Sequence, residues 1–365
     1  MRVAALQRAL AERGAAAALV TSMENVRYLT GHAVWTGRSP ATFALVPAAA
    51  PAVLWVPPAD EALARALSRV AVTAYRPDAG FDAAGRAIAR ALAGLPAAPR
   101  ALAVEHDALT LRRLEALQRA LPGWTFPDAG PHLAQLRLVK DAEEQGVLRR
   151  AGALAAVAAA AVVAALPRGL SEGELRGAAD LAVYAESRRR HPQVAVRTLT
   201  NVLSGEKLAR LHAAAAGEVP APGDPAVLVA HVSCDGYWAD VARTFFVPDG
   251  TADGRAVRAV EVAAHAQQAA IAALGPGRTL REALGAAESV LAAEGLGGRH
   301  VYAMFRGLGL HYDEAPGPAD LDVPLVEGMC VCAQVYLQLP AMIVGRADSV
   351  LVTARGPERL TEDAA

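Results

Sequence analysis

The stretch that decides the fold of the second half of the chain is Gly236–Phe246 (GYWADVARTFF), in which the single acid Asp240 stands among apolar and aromatic residues. It ends in a strand predicted at Thr244–Val247, and the apolar run Pro225–Val232 before it predicts another strand. Two helices are predicted after it, one on each side of the breaker Gly275–Gly277 (GPG). Paired helices that alternate with antiparallel strands predict an α+β domain.

The segments before this domain differ in pattern. Residues 1–132 alternate helix and strand signals and predict a smaller α/β domain, which ends near the Pro- and Gly-rich segment Pro122–Gly130. Residues 133–365 form the second domain, which begins with two long helices. The second of these helices starts at Ser171, and Glu174 three residues later completes a capping-box pattern.

Composition excludes several classes of protein. The chain has 365 residues, 36 basic and 37 acidic side chains and a net charge of −1, so no basic surface for nucleic acid is expected. The most apolar stretch, Ala151–Leu166, is short for a membrane span, and the N-terminus lacks a signal-peptide pattern. We expect a cytoplasmic protein with no membrane partner. The three cysteines are expected in the core, since their spacing matches neither a disulfide framework nor a zinc site.

Five segments of the second half resemble, in the same order, motifs of the pita-bread family, which includes aminopeptidase P, prolidase, methionine aminopeptidase and creatinase. These segments are Leu136–Gly152, Gly236–Phe246, Phe305–Gly317 (FRGLGLHYDEAPG), Val326–Tyr336 (VEGMCVCAQVY) and Gly345–Thr353 (GRADSVLVT). In the first half, MENVRYLTG at Met23–Gly31 resembles the family's N-terminal domain. The resemblance implies a C-terminal pita-bread domain of the catalytic type behind a smaller α/β domain of the creatinase type.

Metal-dependent members of this family hold two divalent ions with two Asp, one His and two Glu. By this resemblance, the position of the family's last Glu corresponds either to Ala347 or to a one-residue gap in this sequence before Asp348. The other four positions are Val229, Asp240, Arg306 and Gln334. Because one acid survives and a guanidinium replaces the imidazole, we expect no bound metal and no other cofactor.

Creatinase is a metal-free hydrolase of the same fold, and two segments resemble it. Asn201–Ala213 places His212 on the histidine that shuttles protons there, a role that an imidazole can fill at neutral pH. Trp35–Val46 places Arg38 on an arginine that reaches across a dimer to the substrate carboxylate. The resemblance therefore implies a homodimer and a small-molecule substrate.

The expected catalytic pair is His212 and Asp240. The residues expected to bind the substrate are Arg38, Arg306, His311, Asp313, Glu314 and Gln334. Structural alternatives stay open: Asp240 could accept from Arg243 or from the strand backbone, and Arg306 could pair with Asp240 and neutralise the pocket. His231 has no motif behind it and is expected to be structural or exposed.

The leading expectation is a metal-independent, creatinase-like hydrolase or lyase. It would use acid–base catalysis on a small carboxylated, nitrogen-containing substrate, by hydrolysis of a C–N bond or by elimination or cyclisation. One alternative is a metal-dependent Xaa-Pro dipeptidase or aminopeptidase with substituted ligands. The other is a pseudo-peptidase that binds without catalysis.

Overall fold

The computed structural model describes residues 2–33, 42–76, 81–95, 99–210 and 212–362. The chain divides into two compact units, Met1–Arg137 and Leu138–Ala365. The first is a mixed α/β unit and the second an antiparallel α+β unit, as the sequence predicted. The predicted boundary at 132/133 falls inside a continuous helix, because Pro131 stands in its first turn, where a proline is tolerated.

The first unit is built on a five-stranded sheet in the order β4-β3-β2-β1-β5. Its strands are β1 (Ala17–Val20), β2 (Phe43–Pro47), β3 (Val53–Val56), β4 (Ala71–Ala74) and β5 (Leu102–Val104). Its helices are α1 (Arg2–Glu12), α2 (Met23–Thr30), α3 (Glu61–Leu67), α4 (Phe81–Ala93), α5 (Leu111–Ala120) and α6 (Gly130–Leu138). Apolar residues of α4 and α5, including Ile88 and Leu117, pack on the sheet and form its core.

The second unit is built on an antiparallel sheet in the order β6-β7-β8-β11-β10-β9, with β12 paired to β11. Its strands are β6 (Val196–Ser204), β7 (Pro225–Cys234), β8 (Tyr237–Phe246), β9 (Phe305–Gly307), β10 (Cys330–Gln338), β11 (Ile343–Thr353) and β12 (Gly356–Arg359). Its helices are α7 (Ala142–Ala165), α8 (Glu172–Arg190), α9 (Gly254–Ala272) and α10 (Leu280–Ala293). The capping box predicted at Ser171 and Glu174 is confirmed at the start of α8.

Strand β8 begins seven residues before the predicted Thr244, at Tyr237. Asp235 and Gly236 both have positive φ, 44° and 79°, and they form a two-residue turn that joins β7 to β8. Turns of this kind match the right-handed twist of the two strands that they join. All of the motif segment after Gly236 is therefore paired with β7, from Cys234 opposite Tyr237 to Pro225 opposite Phe246.

Helices α7, α9 and α10 cover one face of this sheet and leave the other face for the site. Val331, Ala333 and Val335 of β10 pack in one core cluster with residues of α9 and α10, and the residues between them point the opposite way. Helix α7 is long and apolar enough to cross a membrane by length and composition alone. It packs on β7 and β8, with buried residues along its length, which is the pattern of a core helix. The three cysteines are free and buried, as expected.

Candidate functional site

The pairing register decides which residues share the open face of the sheet. Directly opposed residues of antiparallel strands lie on the same face, as do residues two apart along one strand. Ala242 of β8 is opposite Val229 on one side and opposite Ala347 on the other, and Ala347 is opposite Gln334. Asp240 is two residues from Ala242, so all five residues share one face.

Arg306 belongs to the same face. It lies on β9 opposite Cys332, and Cys332 is two residues from Gln334 on β10. The five positions expected from the family's metal ligands therefore meet on one surface. Of the two alternatives for the family's last Glu, Ala347 is the one that occupies this surface. Asp348 points to the opposite face, where Arg243 donates to it at 2.7 Å, so Arg243 is not the partner of Asp240.

Asp240 is the centre of a buried ionic cluster. Its side chain is 2% exposed, its Oδ1 lies 2.6 Å from Nδ1 of His231, and its Oδ2 forms an ion pair with Nη2 of Arg306. Burial alone would raise the pKa of Asp240, but the electrostatic interactions and hydrogen bonds with His231 and Arg306 outweigh burial and hold the pKa below its ordinary value. The carboxylate is therefore ionised and engaged on both oxygens.

Arg306 is fixed on two sides. Besides Asp240, its Nη1 donates to the main-chain oxygen of Tyr312. Burial lowers the pKa of Arg306, but the Cys332 sulfur and the Asp240 carboxylate raise it by more, so the guanidinium keeps its charge. The expectation that Arg306 pairs with Asp240 and neutralises the pocket matches this geometry.

In front of the cluster lies a cavity of about 750 Å³. Four residues predicted for the site line it, namely His212, Arg306, Asp313 and Gln334. Asp240 lies just behind its partners Arg306 and His231. The aromatic residues of the wall are Tyr302, Phe305, Tyr312 and Tyr336, and its further charged residues are Arg176 and Asp180 of α8.

Two residues predicted to bind substrate are engaged elsewhere. Glu314 forms a buried ion pair with Lys140, 3.1 Å from Oε1 to Nζ, and is not among the cavity's lining residues. Its carboxylate lies so close to Gly309 that a Cβ there would collide with it. The His311 ring stacks on Tyr312 with centroids 4.6 Å apart, and its Nδ1 contacts the backbone of Asp313. Arg38 lies outside the described residues.

The loop after β6 brings His212 to the cavity. Asn201 holds the loop beyond His212, because its amide donates to the oxygen of Ala213 at 2.8 Å and its oxygen accepts from the N–H of Ala215 at 2.9 Å. His212 Nδ1 is 3.4 Å from the hydroxyl of Tyr302, and the two rings meet edge to face.

Glu172 ties both ends of the same loop to α8. This fully buried carboxylate accepts from the backbone of Ser204 at 2.8 Å, from the backbone of Ala216 at 3.1 Å and from Nζ of Lys207 at 2.7 Å. Charge-assisted hydrogen bonds of this kind are strong, so Glu172 fixes where the loop leaves the sheet and where it returns.

His231 is the main residue that the sequence prediction missed. It was expected to be structural or exposed, yet it contacts Asp240 and lines the cavity. The Asp235–Gly236 turn could have predicted this contact from the sequence. A two-residue hairpin turn pairs residues that lie at equal distances before and after the turn, as His231 and Asp240 do.

Comparison with known proteins places this site in a family. The model of metallopeptidase family M24 matches residues 146–354, and the Creatinase/Prolidase N-terminal domain matches residues 2–139. The chain belongs to metallopeptidase family M24, which is a family of hydrolases, and it carries that N-terminal domain.

Its relatives include named dipeptidases. The chain is 28% identical to the Xaa-Pro dipeptidase of Lactobacillus helveticus, over 71% of this chain and 70% of that protein. It superposes on the dipeptidase PepE of Mycobacterium ulcerans with a TM-score of 0.82 at 29% identity, over 99% of this chain and 95% of that one. The prolidase of Pyrococcus horikoshii shares the fold with a TM-score of 0.85 at 22% identity, over 99% and 98% of the two chains.

These findings correct the leading expectation from the sequence. A creatinase-like, metal-independent enzyme acting on a small C–N compound is wrong, since the family model describes metallopeptidases and the relatives are named as dipeptidases. The Xaa-Pro peptidase reading, first given as an alternative, agrees with them better.

The residues of this chain do not fit the metal centre that the family implies. Of the five positions on the open face, Val229 and Ala347 offer no donor atom and the amide of Gln334 is a weak one, which leaves Asp240 as the only acid. Within the described residues, no three His, Cys, Asp or Glu side chains cluster closely enough to hold an ion.

Proposed function

We propose that the protein binds short peptides of the Xaa-Pro class in the cavity in front of Asp240. The observation that carries the proposal is this cavity of about 750 Å³, with both signs of charge on its walls, in a chain whose relatives are named as Xaa-Pro dipeptidases. A volume of this size is ordinary for a small-ligand site and holds a dipeptide with room to spare.

The charges suit a zwitterionic ligand. Arg176 and Asp180 lie one helical turn apart on α8, 3.8 Å between Nε and Oδ2, so the wall presents a cation and an anion side by side. Asp313 adds an exposed carboxylate at the cavity. A dipeptide brings one ammonium and one carboxylate, which these groups would bind while the ligand's own charges compensate theirs.

The aromatic rings suit the proline. Tyr302 and Tyr336 meet edge to face with centroids 5.5 Å apart, and Tyr312 lies against His231 at 5.1 Å. A pyrrolidine ring is apolar and rigid, so burying it against these faces gains hydrophobic free energy at little cost in conformational entropy.

His212 is the residue that we propose as the contact between the loop and the ligand. One ring nitrogen lies near the Tyr302 hydroxyl, and the other can bond the ligand's backbone. Because Asn201 and Glu172 fix the loop by hydrogen bonds, the imidazole would be positioned before the ligand arrives.

Two candidate functions would use this peptide binding. The first is hydrolysis, as in a dipeptidase, and the second is binding without hydrolysis, which the ion pair of Arg306 with Asp240 favours. A peptidase of this family needs its metal centre, whereas a peptide-binding module needs only the cavity. Homodimer formation, which light scattering would check, and a cytoplasmic location remain predictions.

The test is calorimetric titration of the purified chain with alanyl-proline and leucyl-proline, with alanyl-alanine as the comparison. Parallel assays measure release of free proline with EDTA and with added Mn²⁺, Co²⁺ or Zn²⁺. We expect saturable binding of the prolyl dipeptides. His212→Asn should weaken this binding about tenfold, because the substitution removes one hydrogen bond to the bound ligand. His265→Asn, at an exposed position of α9, is the matched control and should bind as the wild type does.

The outcomes separate the candidates. Binding without proline release under any condition supports the peptide-binding module, and binding with proline release supports the dipeptidase. Absence of binding by all prolyl dipeptides contradicts the proposal, as does equal weakening by the two histidine substitutions.

A further inference from the structure

The floor of the cavity already contains a cation. The Arg306 guanidinium stands on the face where the family's ligand positions converge, and it is paired with the one acid retained there. We propose that this guanidinium takes the place of the family's metal ions, so that the protein binds no divalent cation at Asp240.

The first reason is the geometry of the carboxylate. One oxygen of Asp240 is held by the imidazole of His231 at 2.6 Å and the other is held by Arg306. A metal ion would have to share an oxygen with the imidazole or with the guanidinium, or displace one of these partners. Arg306 is anchored by its second nitrogen to the Tyr312 backbone, so moving it breaks that contact as well.

The second reason is the charge. A divalent ion bound to Asp240, which is 2% exposed, would lie within a few ångströms of the Arg306 guanidinium, and the two like charges would repel each other across a buried contact. The family's centre offsets two dications with four carboxylates, whereas this face offers one carboxylate that is already neutralised.

The third reason is the state of the neighbouring positions. Gln334 donates its amide nitrogen to the main-chain oxygen of Ala303 at 2.7 Å, so the side chain offers only one neutral carbonyl oxygen where the family has a carboxylate. Val229 and Ala347 extend apolar surface on either side of Ala242. The three residues are consistent with one another, since Val229 and Ala347 replace, and Gln334 neutralises, a carboxylate that would be left unpaired without a metal.

This inference is independent of the peptide ligand, because its readout is bound metal. Wild-type protein is stripped with EDTA, incubated with Mn²⁺, Co²⁺ or Zn²⁺, separated from free ions and analysed by mass spectrometry, with Co²⁺ absorption as a second signal. We expect no stoichiometric metal. Stoichiometric metal that Asp240→Asn abolishes and the exposed control Asp253→Asn retains would overturn the proposal.

A gain-of-binding variant sharpens the test. Replacing Val229→Asp, Arg306→His, Gln334→Glu and Ala347→Glu together returns the family's donor set to a face whose register already aligns the positions, so this variant should bind divalent metal. Arg306→His alone should not, because three donors would still be missing. Circular dichroism checks folding, and if the fourfold variant does not fold, the wild-type measurement alone decides. A folded fourfold variant that binds no metal would contradict the proposal, because it would show that Arg306 and the substituted side chains are not what excludes the metal.

Discussion

Asp240 and Asp348 are two buried carboxylates on the neighbouring strands β8 and β11, and each is paired with an arginine. They point to opposite faces of the sheet. Asp348 is 0% exposed, accepting from Nη2 of Arg243 and from Oγ1 of Thr361, both at 2.7 Å. Asp240 is as deeply buried, but its partners Arg306 and His231 are 15% and 19% exposed and line the cavity.

Because successive side chains of a strand point to opposite faces, carboxylates on neighbouring strands can serve different purposes: Asp348 holds the fold together, and Asp240 belongs to the cavity. Arg243 also donates to the main-chain oxygens of Ala347 and Thr361, so the Asp348 pair ties the C-terminal segment to the sheet. The Asp240 pair joins groups that a ligand can reach. Removing the charge of the two carboxylates should therefore lower the free energy of unfolding by different amounts.

The largest effect is expected for Asp348→Asn. This near-isosteric change leaves the Arg243 guanidinium buried without its counter-charge, so we expect the free energy of unfolding to fall by about 3–5 kcal/mol. Urea denaturation followed by circular dichroism measures it. Arg346 and Arg359 also contact the Asp348 carboxylate, at 3.5 and 3.8 Å. The double variant Arg243→Met with Asp348→Asn removes the most deeply buried of these cations, Arg243, and should therefore lose less stability than the single variant. A single variant within experimental error of the wild type would contradict the scaffold role.

A smaller effect is expected for Asp240→Asn, about 1–3 kcal/mol by the same measurement. Arg306 and His231 lie at the cavity wall, where water can solvate them once the carboxylate charge is gone. An Asp240→Asn variant that loses as much stability as Asp348→Asn would remove the distinction between the two faces.

The pH dependence of the Asp240 contribution follows from its lowered pKa. A carboxyl with a folded-state pKa below its unfolded value of about 3.8 stabilises the protein fully above that value and less as the pH falls through the folded pKa. The charged or titratable groups that face it are His231 on β7, Arg306 on β9, and Cys330, Cys332 and Tyr336 on β10.

The measurement compares wild type with Asp240→Asn, so that titration of groups that do not interact with Asp240 cancels. The gap in unfolding free energy between them should be constant at mildly acidic pH and should close as the solution becomes strongly acidic. A gap that widens on acidification would mean that the pKa of Asp240 is raised, not lowered.

The fold and the alignment of the site positions could be predicted from the sequence, because the motifs occur in order and each carries its strand. The pairing of Arg306 with Asp240 was open to prediction for the same reason, since a cation replaced a ligand beside the one acid that remained. The choice between Ala347 and Asp348 needed the cross-strand register, which places only Ala347 opposite Ala242.

Contacts between distant segments could not be predicted. Glu314 was expected in the site from its place in the Phe305–Gly317 motif, but Lys140, from the start of the second unit, pairs with it in the core. The position of Arg306 on the open face likewise depends on the pairing of β9 (Phe305–Gly307) with β10, which places Arg306 opposite Cys332. Long-range pairing decided both.

The smallest effect on stability is expected for an exposed ion pair, which serves as a reference for the two buried pairs. Arg149 of α7 and Glu358 of β12 form an exposed bidentate pair, 2.8 Å at each contact, with side chains 44% and 38% exposed. Its chemistry is that of the two buried pairs, but water and salt screen it, so Glu358→Gln should cost about 0–1 kcal/mol. Added salt should shrink that cost further, while the cost of Asp348→Asn should change little because screening acts weakly on buried charges. Equal salt sensitivity of the two variants would mean that pairing, and not burial, sets these energies.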